Sequence, residues 1–266
     1  MVGRPDEAVD LARASLLIAC EEYPRLEVSR YLTRLDAMGE TLRHRVQGER
    51  RPEDVIAVLN RYLFEEEGFH GNASDYYNPR NSFLNDVLDR RTGIPITLST
   101  VYMEVASRAG LDLVGVGLPG HFIVKAAAGG REIFIDPFHG GTLLSEADCQ
   151  RRVDRVFNGR VRIEAGMLAG LRRKDILERM LRNLKLIYAK GEDWSRTLGV
   201  VELLVRLAPQ NADDLRDRGL LYAALDCYSL AARDLQAYLE RVPGSAEAAA
   251  LREKITQLHH RATRVN

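Results

Sequence analysis

Two side chains near the middle of this 266-residue chain have the types and spacing needed to move a proton. His121 opens an apolar run, HFIVKA, and Asp136 closes the core of the next, REIFIDPF. A carboxylate beside an imidazole fixes its tautomer and supports the imidazolium, which is what lets a histidine activate a nucleophile. Upstream, GIPITLSTVYMEVASRAG is a strongly apolar stretch of helical period. A helix start carries free amides and the positive end of a dipole. A helix start facing a His on one strand and an Asp on the next is the layout of a nucleophile–His–Asp triad. The nucleophile is missing, because no cysteine lies between Cys20 and Cys149.

The replacements within reach are weak. Thr97 and Ser99 are hydroxyls near the helix start, but a hydroxyl has a high pKa and needs an adjacent base and an oxyanion hole. Thr97 is the speculative third member, in the first helical turn, with the alternative that its hydroxyl only bonds local backbone. Cys149 falls in SEADCQRRVDRVF, where Ser145 and Asp148 form a capping-box-like start, and a free cysteine there reads as a small buried hydrophobe. His139 and His70 are the histidines that could join His121 on a metal. Their spacing matches no standard site, so no metal ligands and no cofactor are assigned.

The elements that must position the pair follow from periodicity and punctuation. Val9, Ala12, Leu16 and Ala19 share one helix face, and Pro24 stops that helix. Val28, Tyr31, Leu32 and Leu35 mark a second helix running towards Gly48. Pro52, Glu53 and Asp54 suit a helix start, and Gly68 ends that helix. GFHGNASDYYNPRNS is a long loop, whose His70, Asp75, Tyr76 and Tyr77 are candidates for the rim of a site. Asn81 or Ser82 is expected to cap the helix FLNDVLDRR. Pro95 fits the first position of the apolar helix and Gly110 its C-terminal cap. LDLVGVGL, HFIVKA and REIFIDPF read as antiparallel strands, with AAAGG as the reversal between the last two.

Composition bounds the partners. Lys+Arg and Asp+Glu both number 38, so there is no net field to attract nucleic acid or an anionic membrane, and neither is expected as a partner. The apolar run near the N-terminus is short and interrupted for a signal peptide or anchor, and no later stretch reaches spanning length. The three cysteines are far apart, as in a reduced, cytoplasmic protein.

EEYP at 21–24, NSFLNDVLDRRTGIPITLSTVYMEVASRAGL at 81–111, GVGLPGHFIVK at 115–125, FIDPFHGGTLL at 134–144 and RMLRNLKLIY at 179–188 together resemble the transglutaminase-like superfamily. More closely, they resemble its SirB-type bacterial branch with a tetratricopeptide tail; a related domain occurs in an F-box protein. In active members a Cys at the core-helix start, a His and an Asp form the triad. The resemblance places His121 and Asp136 in the last two roles and lands the Cys position on Pro95. This branch generally lacks that cysteine. The cleft is expected to be lined by Pro95, Ile96, Asn81, Gly120, Phe122 and Pro137.

The C-terminal part is helical, and a 34-residue repeat shows in the pairs Pro209/Pro243 and Tyr188/Tyr222. Gly219, Tyr222, Ala231 and Pro243 match the tetratricopeptide pattern, with Leu215 where Trp is common. An earlier copy is weaker, with Lys185 for Gly and Thr197 for Ala. Two repeats and a final helix are short for a free-standing array, so the tail is expected to fold together with the core, with Leu177, Met180, Leu184 and Ile187 buried.

The sequence thus predicts an α+β chain with a papain/transglutaminase-like core containing an antiparallel sheet. It divides into a helical N-terminal cap over 1–68, the transglutaminase-like core over 69–172 and tetratricopeptide-like helical repeats over 173–266. The function expected is that of a non-catalytic (pseudoenzyme) regulatory or protein-interaction protein, with a protein or peptide partner. The alternative is an amide or ester hydrolase or acyltransferase using the His121–Asp136 pair with a non-standard nucleophile.

Overall fold

In the computed structural model, which describes residues 5–48, 51–128 and 131–265, several helix boundaries fall on the sequence's own punctuation. The first helix, however, ends before Pro24, and the helix in FLNDVLDRR ends at a left-handed Arg91 before Gly93. Among the described residues, those from 5 to 180 form one unit and those from 181 to 265 another. In the first, α1 (Leu11–Ala19) starts where Asp10 accepts a hydrogen bond from the Arg13 amide at 2.8 Å. α2 (Val28–Arg45) follows Pro24, and α3 (Pro52–Asn60) has its proline in the first turn. α3 continues as a π-helical segment, Arg61–Glu66, before Gly68 breaks the run in the left-handed region. The long loop contains a two-residue strand, β1 (His70–Gly71), and a 3-10 turn, Pro79–Asn81. α4 (Leu84–Arg90) leads to β2 (Thr92–Gly93), which pairs in parallel with β1.

α5 (Pro95–Arg108) is the buried element: Val101, Tyr102, Val105 and Ala106 are each no more than 1% exposed. Helices of surface type bury one stripe, whereas this one is covered nearly all round along its first eleven residues. The Tyr102 hydroxyl donates to Asn60 Oδ1 at 2.8 Å, and Asn60 Nδ2 donates to the Gly141 carbonyl at 2.9 Å. That chain ties α5 and α3 to the turn that follows Asp136. Gly110 lies just past the helix at φ +90°, as a C-terminal cap requires.

The sheet is β3 (Val114–Val116), β4 (Ile123–Ala128), β5 (Arg131–Asp136) and β6 (Thr142–Leu144), antiparallel throughout and in sequence order. Its first three strands match the three predicted runs; β6, in GGTLL, is additional. The register pairs Val124 with Ile135 and Asp136 with Thr142, so the start of β4 lies beside the end of β5. The AAAGG reversal includes residues 129 and 130, outside the described residues. α6 (Glu146–Phe157), capped by Ser145 and Asp148, covers the sheet. Cys149 and Val153 pack there with Val116, Leu118, Ile123 and Phe134.

α7 (Arg173–Lys190) contributes to both units. In the second come α8 (Trp194–Leu207), α9 (Ala212–Ala224), α10 (Tyr228–Arg241) and α11 (Ala248–Val265), an array of helical hairpins. Gly219 is needed where α9 meets α10, since a Cβ there would lie 2.8 Å from Leu235 Cγ. Thr197, one of the two outliers in the weaker repeat, is buried and donates to the Asp193 carbonyl at 2.7 Å. Leu177, Met180 and Leu184 are buried as expected, while Ile187 is only partly covered. Among the described residues, no helix is long and apolar enough to cross a membrane.

Candidate functional site

Three elements bring the chemistry together: the turn before β4, the end of β5, and the 3-10 turn Pro137–His139 that follows it. His121 Nε2 lies 3.0 Å from Asp136 Oδ2, the contact expected from the sequence. The same oxygen lies 2.8 Å from His139 Nδ1 and 3.2 Å from Arg152 Nε on α6. Asp136 is fully buried, and its Oδ1 has no hydrogen-bond partner. Burial works to raise the Asp136 carboxyl, but the His121 hydrogen bond and the charges of His121, His139 and Arg152 outweigh it and hold it below the ordinary range. The network assigns the His139 proton to Nδ1, because Arg152 Nη1 approaches Nε2 at 3.4 Å as a donor.

Around this centre stand aromatic rings. Phe138 is 6.1 Å from the His121 ring and 6.3 Å from Tyr76, both edge to face. The long loop therefore reaches the site through Tyr76 and through Gly71, where a Cβ would lie 2.6 Å from the Phe138 carbonyl oxygen. The loop's other candidates lie elsewhere. His70 bonds Thr92 and the Gly68 carbonyl, Tyr77 is largely exposed, and Asp75 accepts from Asn78.

The helix start is where the sequence reading expects Thr97 and the cleft-lining Pro95. Pro95 is its first residue, and Ile94 stands at the cap. The Thr97 hydroxyl accepts from the Ile94 amide at 3.1 Å and donates to the Asn81 carbonyl at 2.7 Å. It thus serves the backbone, and a hydroxyl so engaged has no proton to give His121. Asn81 does not cap α4: the cap position is Phe83, without a side-chain bond. Asn81 Nδ2 instead donates to the Asp75 carbonyl at 2.7 Å, and Oδ1 accepts from Asn72 at 3.2 Å. The side chain is pulled into the long loop, where more unpaired backbone needs it.

The other residues expected to line the cleft divide. Pro95, Ile96 and Pro137 are buried beside the helix start and the Asp136 turn, and Gly120 is exposed at φ +68°. Phe122 is core: its ring packs on Gly115 and lies 5.8 Å from the Arg179 guanidinium. Cys149 is fully buried, and burial pushes its thiol up to about 11.

The sequence pattern of the transglutaminase-like superfamily matches residues 29–182, and that of the tetratricopeptide repeat matches 184–256. A UPF0162 protein of Xylella fastidiosa (strain 9a5c) is 39% identical, over 90% of this chain and 86% of its own length. A UPF0162 protein of Vibrio cholerae is 27% identical over 80% and 78%. Mouse F-box only protein 21 is 33% identical over 49% of this chain and 21% of its own. No solved structure matches significantly. The chain belongs to the transglutaminase-like superfamily.

Within this transglutaminase-like chain, sequence reasoning found His121 and Asp136 but gave no place to Arg152 or Arg179, and named His139 only as a possible metal ligand. His139 had a usable signal, since a Pro-led turn returns the third residue after Asp136 towards it. The two arginines are distant in sequence, on α6 and α7, and only the packing of those helices brings them in. His121, Asp136 and His139 also place one ligand atom each within 4.8 Å of one another.

Proposed function

We propose that this is a non-catalytic member of its superfamily, a regulatory or protein-interaction protein of the bacterial cytoplasm. Its transglutaminase-like cleft would have lost thiol chemistry and kept its frame, and its tetratricopeptide-like array would engage a protein or peptide partner. The observation that carries the reading is the start of α5. Pro95 stands where the resemblance places the cysteine, and the Thr97 hydroxyl is bonded to Ile94 and Asn81. Neither Pro95 nor the engaged Thr97 hydroxyl offers His121 a nucleophile, and Ser99, whose Oγ has no hydrogen-bond partner, is fully buried. Cys149, buried and with a raised pKa, is unsuited to the role.

The pairing of His121 with Asp136 favours the second reading, hydrolysis or acyl transfer by another nucleophile. Thiol- and serine-reactive activity probes separate the two. The non-catalytic reading expects no stoichiometric labelling that depends on His121. Probe adducts on the wild-type chain that vanish in His121→Ala would establish the enzyme instead.

A further inference from the structure

Asp136 gathers three nitrogens on one oxygen and none on the other. Oδ2 faces His121 Nε2 at 3.0 Å, His139 Nδ1 at 2.8 Å and Arg152 Nε at 3.2 Å, while the fully buried Oδ1 has no hydrogen-bond partner. We propose that His121 Nε2, His139 Nδ1 and the Asp136 carboxylate form a binding site for a divalent first-row transition ion, with zinc as its simplest occupant.

The geometry suits such an ion. Bonds of about 2.0–2.2 Å place neighbouring ligand atoms roughly 3 Å apart, close to the separations across Asp136. Two imidazoles and one carboxylate are a nitrogen-rich donor set that favours zinc, iron, cobalt or nickel over magnesium or calcium. The ligands are held by structure of different kinds: Asp136 ends a strand, and His139 sits on a 3-10 turn closed by Gly140 at φ +67°. The His139 side chain is 41% exposed, which opens a path for the ion and leaves coordination positions towards solvent. Arg152 is the opposing charge. Of the two carboxylate oxygens it contacts Oδ2, and its Nη1 lies 3.4 Å from His139 Nε2. Ion binding displaces the protons that His121 Nε2 and His139 Nδ1 share with Oδ2, turns the His139 proton to Nε2 and moves Arg152 away. Oδ1 leaves the carboxylate a second oxygen with which to serve the ion. Nothing in this depends on whether the cleft is catalytic, and the readout below is metal content.

The test is zinc titration of the chelator-stripped full-length chain near neutral pH, with bound zinc counted after dialysis and cobalt as the spectroscopic probe. Wild type should retain about one ion per chain, as a three-ligand site with an open position does, and show visible cobalt bands. His139→Ala alters a partly exposed ring on a surface turn and should fold normally. It should lose more affinity than the roughly 10–100-fold typical of an outer-shell change, together with the cobalt bands. His70→Ala and a His259→Ala/His260→Ala double variant, which change histidines outside the site, should bind as wild type does. Absence of retained zinc in wild type, full retention in His139→Ala, or loss in either control would overturn the assignment.

Discussion

Arg179 Nη2 donates to the main-chain carbonyl of His121 at 3.2 Å, and also to that of Leu118 at 3.1 Å. One guanidinium on α7 thus grips both ends of the Leu118–His121 turn, whose own closure is a 3.2 Å bond from the His121 amide to the Leu118 carbonyl. Burial lowers the pKa of Arg179, a cost accepted for two charge-assisted bonds. The position of the His121 ring rests in part on this clamp.

Arg179→Met keeps an apolar side chain of similar length and removes the donors of the guanidinium that lies beside Gly117 and Phe122. The His121 carbonyl, left without this donor, costs about 1–3 kcal/mol, while the Leu118 carbonyl keeps the His121 amide, and relief from burying a charge offsets part of the loss. A net loss of about 1–3 kcal/mol is expected in denaturant unfolding, with faster hydrogen exchange at the His121 amide. Exchange unchanged at His121 would show that the turn holds itself and that Arg179 does not position the ring.

A second prediction concerns alkaline pH. The Tyr23 hydroxyl donates to Asp86 Oδ2 at 2.5 Å, and Arg80 Nε donates to Oδ1 of the same carboxylate at 2.8 Å. Burial first, then the Asp86 bond, pushes the Tyr23 hydroxyl from its ordinary 10.0 up to about 12. The raised folded-state pKa means the bond's contribution is full below about pH 10 and is lost as pH rises towards about 12. Tyr23→Phe should therefore be less stable than wild type at neutral pH, and the gap should narrow over that alkaline window. A gap that stays constant across it would remove the titration of Tyr23 as its cause.

Thiol labelling gives a third. Cys149 is fully buried, whereas Cys227 is exposed and Cys20 lies between. Burial, then the nearby Asp148 and Asp136, raise the Cys149 thiol to about 11, so little thiolate exists near neutral pH. Alkylation mapped by peptide mass should mark Cys227 first and Cys149 only on unfolding. Rapid labelling of Cys149 in the folded chain would revive it as a reactive group.

Much of the fold was legible because its signals are local. Pro95 and Gly110 bracket α5, the β-branched runs mark β3 to β5, and the 34-residue spacing puts Tyr188 and Tyr222 at equivalent buried places. What was not legible depends on long-range pairing. β6 is three residues long and exists through its register with β5, and the β1–β2 pair has only two residues on each side. Asn81 looked like a cap because its residue type favours one. Its side chain is instead used by the loop backbone, a choice that depends on where Asp75 and Asn72 fold. In the site, the His–Asp pair followed from motif order, but the convergence of His139 and Arg152 on the same oxygen needed the turn and α6 in place.

The last prediction concerns α7. Ile176, Leu177 and Met180 are each no more than 3% exposed. The Ile176 methyl packs on Gly115, the Ser15 hydroxyl approaches the Met180 sulfur at 3.5 Å, and Arg179 holds the His121 turn. A fragment ending at Asp175 loses all four of these side chains. Losing a single large apolar core side chain to Ala costs about 2–5 kcal/mol, comparable with much of a domain's net stability. Residues 1–175 should therefore show a lowered or broadened thermal transition, whereas residues 1–190, which keep the whole of α7, should recover most of the cooperativity. Leu184→Ala in the full chain, at a site 1% exposed, should cost about 2–5 kcal/mol. If 1–175 melts in one sharp step at the full-length midpoint, α7 contributes nothing to the first unit, and the role given to Arg179 falls with it.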